Sequence, residues 1–469
     1  MISRARLAAL HAREAQLYRE RHPRCAALAQ QADRHFLYGV PLHWMSDWGT
    51  PTPLFVQRAQ GASITCADGH VHADFCLADT AAMFGHSPPA LARALAQRVQ
   101  EGLGAMLPGD LAPDVGALLA QRFGLPYWQM ALSATDANRF CLRWARAVSK
   151  RPNILVFDGC YHGTVDDVFV DLVAPLASDP ASSAERPSAT PQARTRASLL
   201  GQVYDLTQFT RTIPFNDLAA LRAALADGTV ACVLAEPVMT NVGMVLPDPG
   251  YLEQLRAACT ATGTLLILDE THTISSAPCG YARAHGLEPD ILVLGKAIAG
   301  GIACAVYGFG AELAARMRAA KDAAPPGHSG IGTTLSGNLL SLAALQSTLQ
   351  DVATPQAYAH MLRMAEGLEA GLLATLARHG LDWSVSRVGA RCEFQFCAQP
   401  PRTGAAARAA MDHELEAALH LYLLNRGVMI TPFHNMMLCC PDTSEAQLAR
   451  LLEAFAAVVA ELLPGPQSP

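Results

Sequence analysis

The stretch Ile291-Leu-Val-Leu-Gly-Lys296-Ala-Ile-Ala-Gly-Gly301 sets one lysine directly after a four-residue apolar run and just before a glycine-rich turn. Short apolar runs without alternation are what strands look like when both faces of a parallel sheet are covered. Four further runs repeat the pattern at Ile154–Phe157, Val230–Ala235, Leu265–Leu268 and Ala303–Phe309. Between the second and third of these, Gly250–Thr262 has helical spacing through Leu252, Leu255 and Cys259. Strands alternating with helices predict an α/β layer on a mostly parallel sheet. Such sheets bind ligands beyond the carboxyl ends of their strands, which is where Lys296 stands.

Composition narrows the classes. About half of the 469 residues are apolar (51%), enough for a sizeable core. The 35 Lys and Arg against 41 Asp and Glu give a formal net charge of −6, with no run of five like charges. That argues against a nucleic-acid arm or a polybasic membrane patch. No stretch approaches a membrane span, and the Arg/Glu-mixed segment from Met1 to Phe36 lacks the apolar core of a secretory signal, so a soluble, cytoplasmic protein is expected. The 13 cysteines form no C-x-x-C pair and read as small core residues. His413 and His420 lie seven apart without a third ligand, so no metal site is expected.

Residues 174–202, rich in Ser, Pro, Ala and Arg, read as a surface insertion. From Gln350 onward long helices are predicted at Tyr358–His379 and Ala405–Asn425, with strands at Cys392–Phe396 and Met436–Cys439. Three parts are therefore expected: 1–60, a helix and irregular loop packed on the rest; 61–349, the large α/β domain; and 350–469, a smaller α+β domain.

Four places carry chemistry. Lys296 has apolar flanks, and desolvated lysines serve as Schiff-base nucleophiles. Asp269 ends the run Leu-Leu-Ile-Leu, where a buried carboxylate needs a cationic partner unless it merely caps a helix. Ser133-Ala134-Thr135 opens a helix striped by Ala137, Phe140, Cys141, Trp144 and Val148. Hydroxyls and N–H groups there make an anion site, or simply a cap. Tyr161, in Gly159-Cys-Tyr-His-Gly163 after Ile154–Phe157, is placed to lay its ring over a planar ligand, or to form an ordinary turn.

In this order and spacing the four resemble the class-III aminotransferase family of pyridoxal-phosphate enzymes, fold type I. Further matching blocks are Ala67-Asp-Gly-His with Ala-Asp-Phe75, Gly85-His86, Glu236-Pro237, Asp269-Glu270 and Thr334-Leu-Ser-Gly-Asn338. Glu236-Pro-Val-Met-Thr-Asn-Val-Gly-Met and the lack of an Arg soon after Asp269-Glu270 resemble the glutamate-1-semialdehyde aminomutase branch. The resemblance implies a large domain with a mostly parallel seven-stranded sheet flanked by helices, a smaller α+β C-terminal domain and an N-terminal segment. It implies that Lys296 holds pyridoxal 5′-phosphate as a Schiff base and moves the reaction's proton, while Asp269 keeps the pyridine nitrogen protonated. By the same resemblance Tyr161 stacks on one ring face and Thr271 packs on the other, and Ser133, the Ala134 amide and Thr135 hold the phosphate. Also implied in the cofactor site are His162 beside Tyr161, Glu236 near Lys296 or the ring hydroxyl, and Thr334 reaching the phosphate of a neighbouring subunit in a homodimer.

Two departures bear on function. Ala134 stands where the family's phosphate cup has Gly, which matters only if that position needs a positive φ. The segments His43-Trp44-Met-Ser-Asp-Trp48 and Thr431-Pro-Phe433-His434-Asn435 hold no Arg where relatives place a carboxylate clamp. Trp44 and Trp48 then line an aromatic substrate pocket or are core contacts, and Arg391 is either an anion partner or a solvated loop residue. The leading expectation is an aminotransferase moving an amino group from an amine or amino acid to a keto or aldehyde acceptor. Alternatives are a glutamate-1-semialdehyde-type aminomutase, or an ammonia-lyase or phospho-lyase acting on an amino alcohol or phosphonate. A cofactor-binding regulator without catalysis predicts a lost lysine or an attached DNA-binding module; Lys296 is present, and the first 60 or so residues are too few and too mixed in charge to argue for such a module.

Overall fold

The apolar runs become strands, since a strand inside a sheet covered on both faces buries every one of its side chains. Every residue of Val230–Ala235, Leu265–Asp269 and Ile291–Leu294 is buried. The computed structural model describes residues 2–173 and 192–463. The predicted strand starting at Ala303 begins at Ala305, and that starting at Ile154 begins at Asn153.

Two compact units are present, Met1–Gln97 with Ser347–Pro400 and Ala409–Pro469, and Arg98–Gln346 with Pro401–Arg408. This differs from three consecutive parts. The physical reason is pairing between the two ends of the chain. Val428 lies parallel to Ala73 in a four-stranded sheet. Glu14 accepts hydrogen bonds from Asn425 (2.9 Å) and Arg426 (3.0 Å).

The second unit holds a seven-stranded sheet in the order Tyr127–Ala131, Ala305–Phe309, Ile291–Leu294, Leu265–Asp269, Val230–Ala235, Asn153–Phe157, Thr210–Ile213. Only Ala305–Phe309 runs against its neighbours. The other six point the same way, so the residues following Ala131, Phe157, Ala235, Leu268 and Leu294 emerge along one edge. The helix Ala134–Ser149 packs Ala137, Phe140, Cys141 and Ala145 into the core beside the sheet.

In the first unit, Ser384–Val388, Arg391–Gln395 and Met436–Leu438 form an antiparallel sheet. The helices Pro355–His379 and Glu445–Leu462 bury their apolar faces in the same core as its Cys392, Phe394 and Met437. The helix expected over Ala405–Asn425 is two, Gly404–Ala409 and His413–Asn425. Asp412 makes the break by capping the second through Leu415 N (3.2 Å). Of the expected insertion, residues 174–191 lie outside the described residues. Its remainder includes Ala193–Thr195, which pairs antiparallel with Val170–Leu172. No helix among the described residues is long and apolar enough to cross a membrane.

Candidate active site

The sheet's carboxyl edge gathers the polar residues of the second unit. Asp269, the last residue of its strand, is buried, yet neither oxygen is left unserved. Oδ1 accepts from Thr271 N (3.0 Å), and Oδ2 accepts from Asn138 Nδ2 (2.8 Å) and pairs with His162 Nδ1 (3.0 Å). Burial alone would push this carboxyl up, but His162, Thr271 and Asn138 hold it down to about 2. Burial pulls His162 the other way, and Cys160 and Asp269 override it, raising the imidazole above its ordinary value. An ionised carboxylate whose Oδ1 accepts this one bond has lone pairs left for a further cationic donor. Asp269 is therefore more than a helix cap.

Ser133 does cap its helix, since its Oγ accepts Asp136 N (3.2 Å). The first internal bond of that helix runs from Ala137 N to Ser133 O, so the N–H groups of Ala134 and Thr135 precede it. At the positive end of a 16-residue helix such groups favour an anion. Ala134 is absent from the positive-φ residues, so a Cβ there costs nothing and the family's Gly is dispensable. Thr135 Oγ1 accepts Thr164 N (3.1 Å), which draws the loop after Tyr161 onto the helix start. The approach is close: a Cβ on Gly163, at φ +79, would lie 2.0 Å from Thr135 Oγ1. Gly295 is pressed similarly, with Ala134 Cβ 2.8 Å and Thr271 Oγ1 3.2 Å from where its own Cβ would be.

Lys296 sits next to that contact with φ +46, a left-handed conformation that non-glycine residues seldom adopt. Its Nζ lies 2.8 Å from Nε2 of the buried His272. Tyr161 leaves its ring half open and meets Phe169 edge-on at 6.4 Å. Glu236 is buried, and burial raises its pKa. Its oxygens accept from Thr240 Oγ1 (2.7 Å) and Asn241 Nδ2 (3.1 Å). Thr334 is exposed, in a turn closed by Thr333 and Ser336 (2.9 Å).

Ser133, Ala134, Thr135, His162, Asp269, Thr271 and Lys296 are thus tied together by named contacts. Asn138 and His272 belong with them and were not anticipated. Asn138 lies inside a helical stripe otherwise apolar, the signal that could have exposed it, whereas His272 stands between Thr271 and Thr273 with no such signal.

The three residues anticipated for the substrate pocket belong to the first unit. Trp44 is exposed and meets Phe433 edge-on at 6.1 Å. Trp48 packs against the core cluster of Ala15, Tyr18, Ile64 and Leu421, the core contact weighed above. Arg391 is no solvated loop residue: it is fully buried on the strand Arg391–Gln395, bonded to Thr80 Oγ1 and 3.1 Å from Met436 Sδ.

A family model, aminotransferase class-III, matches residues 44–459. The chain belongs to the class-III aminotransferase family. Enzymes of this family depend on pyridoxal 5′-phosphate, and fold type I is what the sheet order displays. Among curated relatives, the glutamate-1-semialdehyde 2,1-aminomutase of Desulfosudis oleivorans is 32% identical over 417 residues, 88% of this chain and 92% of that one. A solved structure of a glutamate-1-semialdehyde aminomutase from Pseudomonas aeruginosa PAO1 is 46% identical, covers 98% of this chain and 100% of its own, and superposes with a TM-score of 0.93. A β-phenylalanine aminotransferase from Variovorax paradoxus is 26% identical, covers 97% of each chain and has a TM-score of 0.82.

The donor set suits the family's cofactor. A carboxylate held ionised, an amino group on a strand end, a half-open aromatic ring and a helix N-terminus flanked by two hydroxyls match a pyridinium, an aldehyde, a planar ring and a phosphate in turn.

Proposed function

We propose that this class-III enzyme is an aminomutase of the glutamate-1-semialdehyde type, transferring an amino group between adjacent carbons of one substrate. This departs from the leading expectation of intermolecular transamination. The observation that carries it is the gradient of likeness, 46% identity and TM-score 0.93 to an aminomutase against 26% and 0.82 to an aminotransferase.

When bound, pyridoxal phosphate supplies an electron sink for charge developing on the substrate carbon. Asp269 would hold the ring nitrogen's proton, and it is fitted for this because His162 and Asn138 keep it ionised despite burial. Ser133, the Ala134 N–H and Thr135 would take the phosphate at the helix start. Tyr161 and Thr271 would confine the ring's two faces. Lys296 would carry the carbonyl linkage and, once released, the proton that migrates between carbons. His272, 2.8 Å from its Nζ, fixes where that amino group waits. Glu236 would shape the same edge, with Oε2 taken up by Thr240 and Asn241 and Oε1 accepting from Asn241 alone. Thr334, exposed beside Leu335 (59%), would complete the site of a second copy, in a homodimer that would also cover Met106 (83%) and Leu107 (71%).

The test is turnover of glutamate 1-semialdehyde by enzyme loaded with pyridoxamine phosphate, with no other amino donor or keto acceptor. Many turnovers per chain, giving the isomer with the amino group on carbon 1 and the carbonyl on carbon 2, are expected. A single turnover that restarts only on adding a separate acceptor or donor would replace the aminomutase by an aminotransferase. Release of ammonia with each turnover would make it a lyase.

A further inference from the structure

We propose that the first unit carries a structural zinc site formed by Cys66 Sγ, His22 Nε2, a ring nitrogen of His72 and Cys25 Sγ. It shares no residue with the cofactor site.

Local structure brings these four together. The strands Ser63–Cys66 and Val71–Asp74 form an antiparallel hairpin with Ile64 opposite His72. Cross-strand partners share a face and side chains alternate along a strand, so Cys66, Ile64 and His72 face the same way. All three are buried. At the hairpin's tip the Asp68 carboxylate accepts Arg24 N (2.7 Å) and Cys25 N (3.0 Å), pinning the start of the helix Pro23–Ala32 to the turn. Cys25 thereby joins Cys66 and Ala67 in one buried cluster. Pro23 interrupts the preceding helix at His22, whose backbone N (3.0 Å) and ring Nδ1 (2.9 Å) both reach Tyr18 O.

The last contact settles what His22 can do. A carbonyl accepts only a proton, so Nδ1 is the donor and Nε2 carries the lone pair. A backbone carbonyl fixing one nitrogen while the other faces a metal is the usual outer-shell arrangement of a metal-ligating histidine. Nε2 of His22 and both ring nitrogens of His72 are buried and make no hydrogen bond of normal geometry. The ligand atoms of His22, Cys66 and His72 lie within 4.8 Å of one another, as do those of Cys25, Cys66 and Asp68. Asp68 is occupied with its helix cap, so Cys25, which shares Cys66 with the first group, would swing its Sγ toward the two imidazoles to become the fourth ligand. Its Sγ accepts Phe55 N–H (3.4 Å) and donates to Phe55 O (3.9 Å), and burial and Asp68 raise the thiol, so zinc would bind there by displacing its proton. The surrounding groups are His70, bonded to Arg21 O (2.9 Å), and Tyr18, stacked on His22 at 4.1 Å.

Imidazole nitrogens of His22 and His72 without a hydrogen bond of normal geometry are costly to bury in a dry site, and two thiols stand beside them. A borderline-soft divalent cation preferring tetrahedral nitrogen and sulfur ligands takes Nε2 of His22, one nitrogen of His72 and the two thiols, leaving the other His72 nitrogen toward the Leu424 backbone, and zinc is that ion. Bound there, it would staple the two N-terminal helices to the hairpin. Because the ion binds the folded chain, it would stabilise that state.

The test uses untagged, full-length, cofactor-loaded protein purified without chelator, with metals measured by mass spectrometry. We expect about one zinc per chain, falling at least tenfold in Cys66→Ser and in His72→Phe while the cofactor's visible absorbance is retained. Should either variant fail to fold, wild-type protein stripped with a chelator and titrated with zinc decides the matter. Uptake of one equivalent with a rise in melting temperature, reversed by chelator, supports the site. No uptake at micromolar free zinc overturns it, as does zinc content unchanged in both folded variants. A Cys25–Cys66 disulfide in the unreduced purified protein would overturn it too.

Discussion

His162 and His72 are both buried histidines, one in each unit, and their circumstances are opposite. His162 lies 3.0 Å from an ionised Asp269 and is raised above its ordinary pKa although burial opposes this. His72 has no such partner, and burial, with His22 and His70 nearby, pushes it down to about 4. The first is built to be charged, the second to stay neutral with one lone pair to give. A buried imidazole becomes half of an ion pair where a carboxylate stands beside it and a candidate metal ligand where thiols do.

The comparison can be broken most forcefully at the carboxylate. Asp269→Asn removes the charge that His162 answers, and kcat is expected to fall by about 10²–10³-fold, the usual loss when one preorganised electrostatic contact is deleted. The variant should still fold, because the remaining amide oxygen can accept from Asn138 or from Thr271 N and the side chain keeps its shape. A kcat within twofold of wild type would show that the pair is structural.

His272→Gln should cost less, about tenfold to a hundredfold in kcat, because His272 acts on Lys296 rather than on substrate. The pH–rate profile should shift as well, since the neighbour of the Lys296 amino group has changed. A loss of melting temperature without either effect would reduce His272 to a packing residue.

The smallest effect is a pH dependence of stability in His162→Gln. His162 has a folded pKa raised above 6.5, so its stabilisation is complete below that pH and is lost as pH rises through the folded value. Asp269, lowered from 3.8, contributes fully above that value and loses its share only as pH falls towards about 2. Wild-type apoprotein should therefore exceed His162→Gln in stability most between about pH 4 and 6.5, with the gap closing by at most about 1.4 kcal/mol per pH unit above that. Denaturant unfolding at several pH values measures it, and a gap independent of pH would remove the ion pair from the account.

How much of this was legible in the chain follows from burial. The strands Val230–Ala235 and Ile291–Leu294 could be bounded to the residue because both faces are covered, which leaves no polar alternation to blur their ends. Lys296, Asp269 and Ser133 were legible because each stands at or just beyond the carboxyl end of a strand. The helix break at 410–412 was hidden, since Asp412 caps from within a pattern that continues on either side. Arg391 read as a loop residue because Gly389 precedes it, yet Gly389–Ala390 is only the turn of a hairpin whose strand begins at Arg391.

The sequence by itself determined the class of sheet, the edge on which chemistry collects and the family, since those depend on local runs and on motifs read in order. Tertiary structure alone decided which side chains meet. Asn138 reaches Asp269 across 131 positions, His272 reaches Lys296 across 24, and strand register with one aspartate cap carries His22 and Cys25 to Cys66 and His72. Such meetings are set by strand order, register and helix capping, and a linear pattern does not encode distance between residues that only folding makes neighbours.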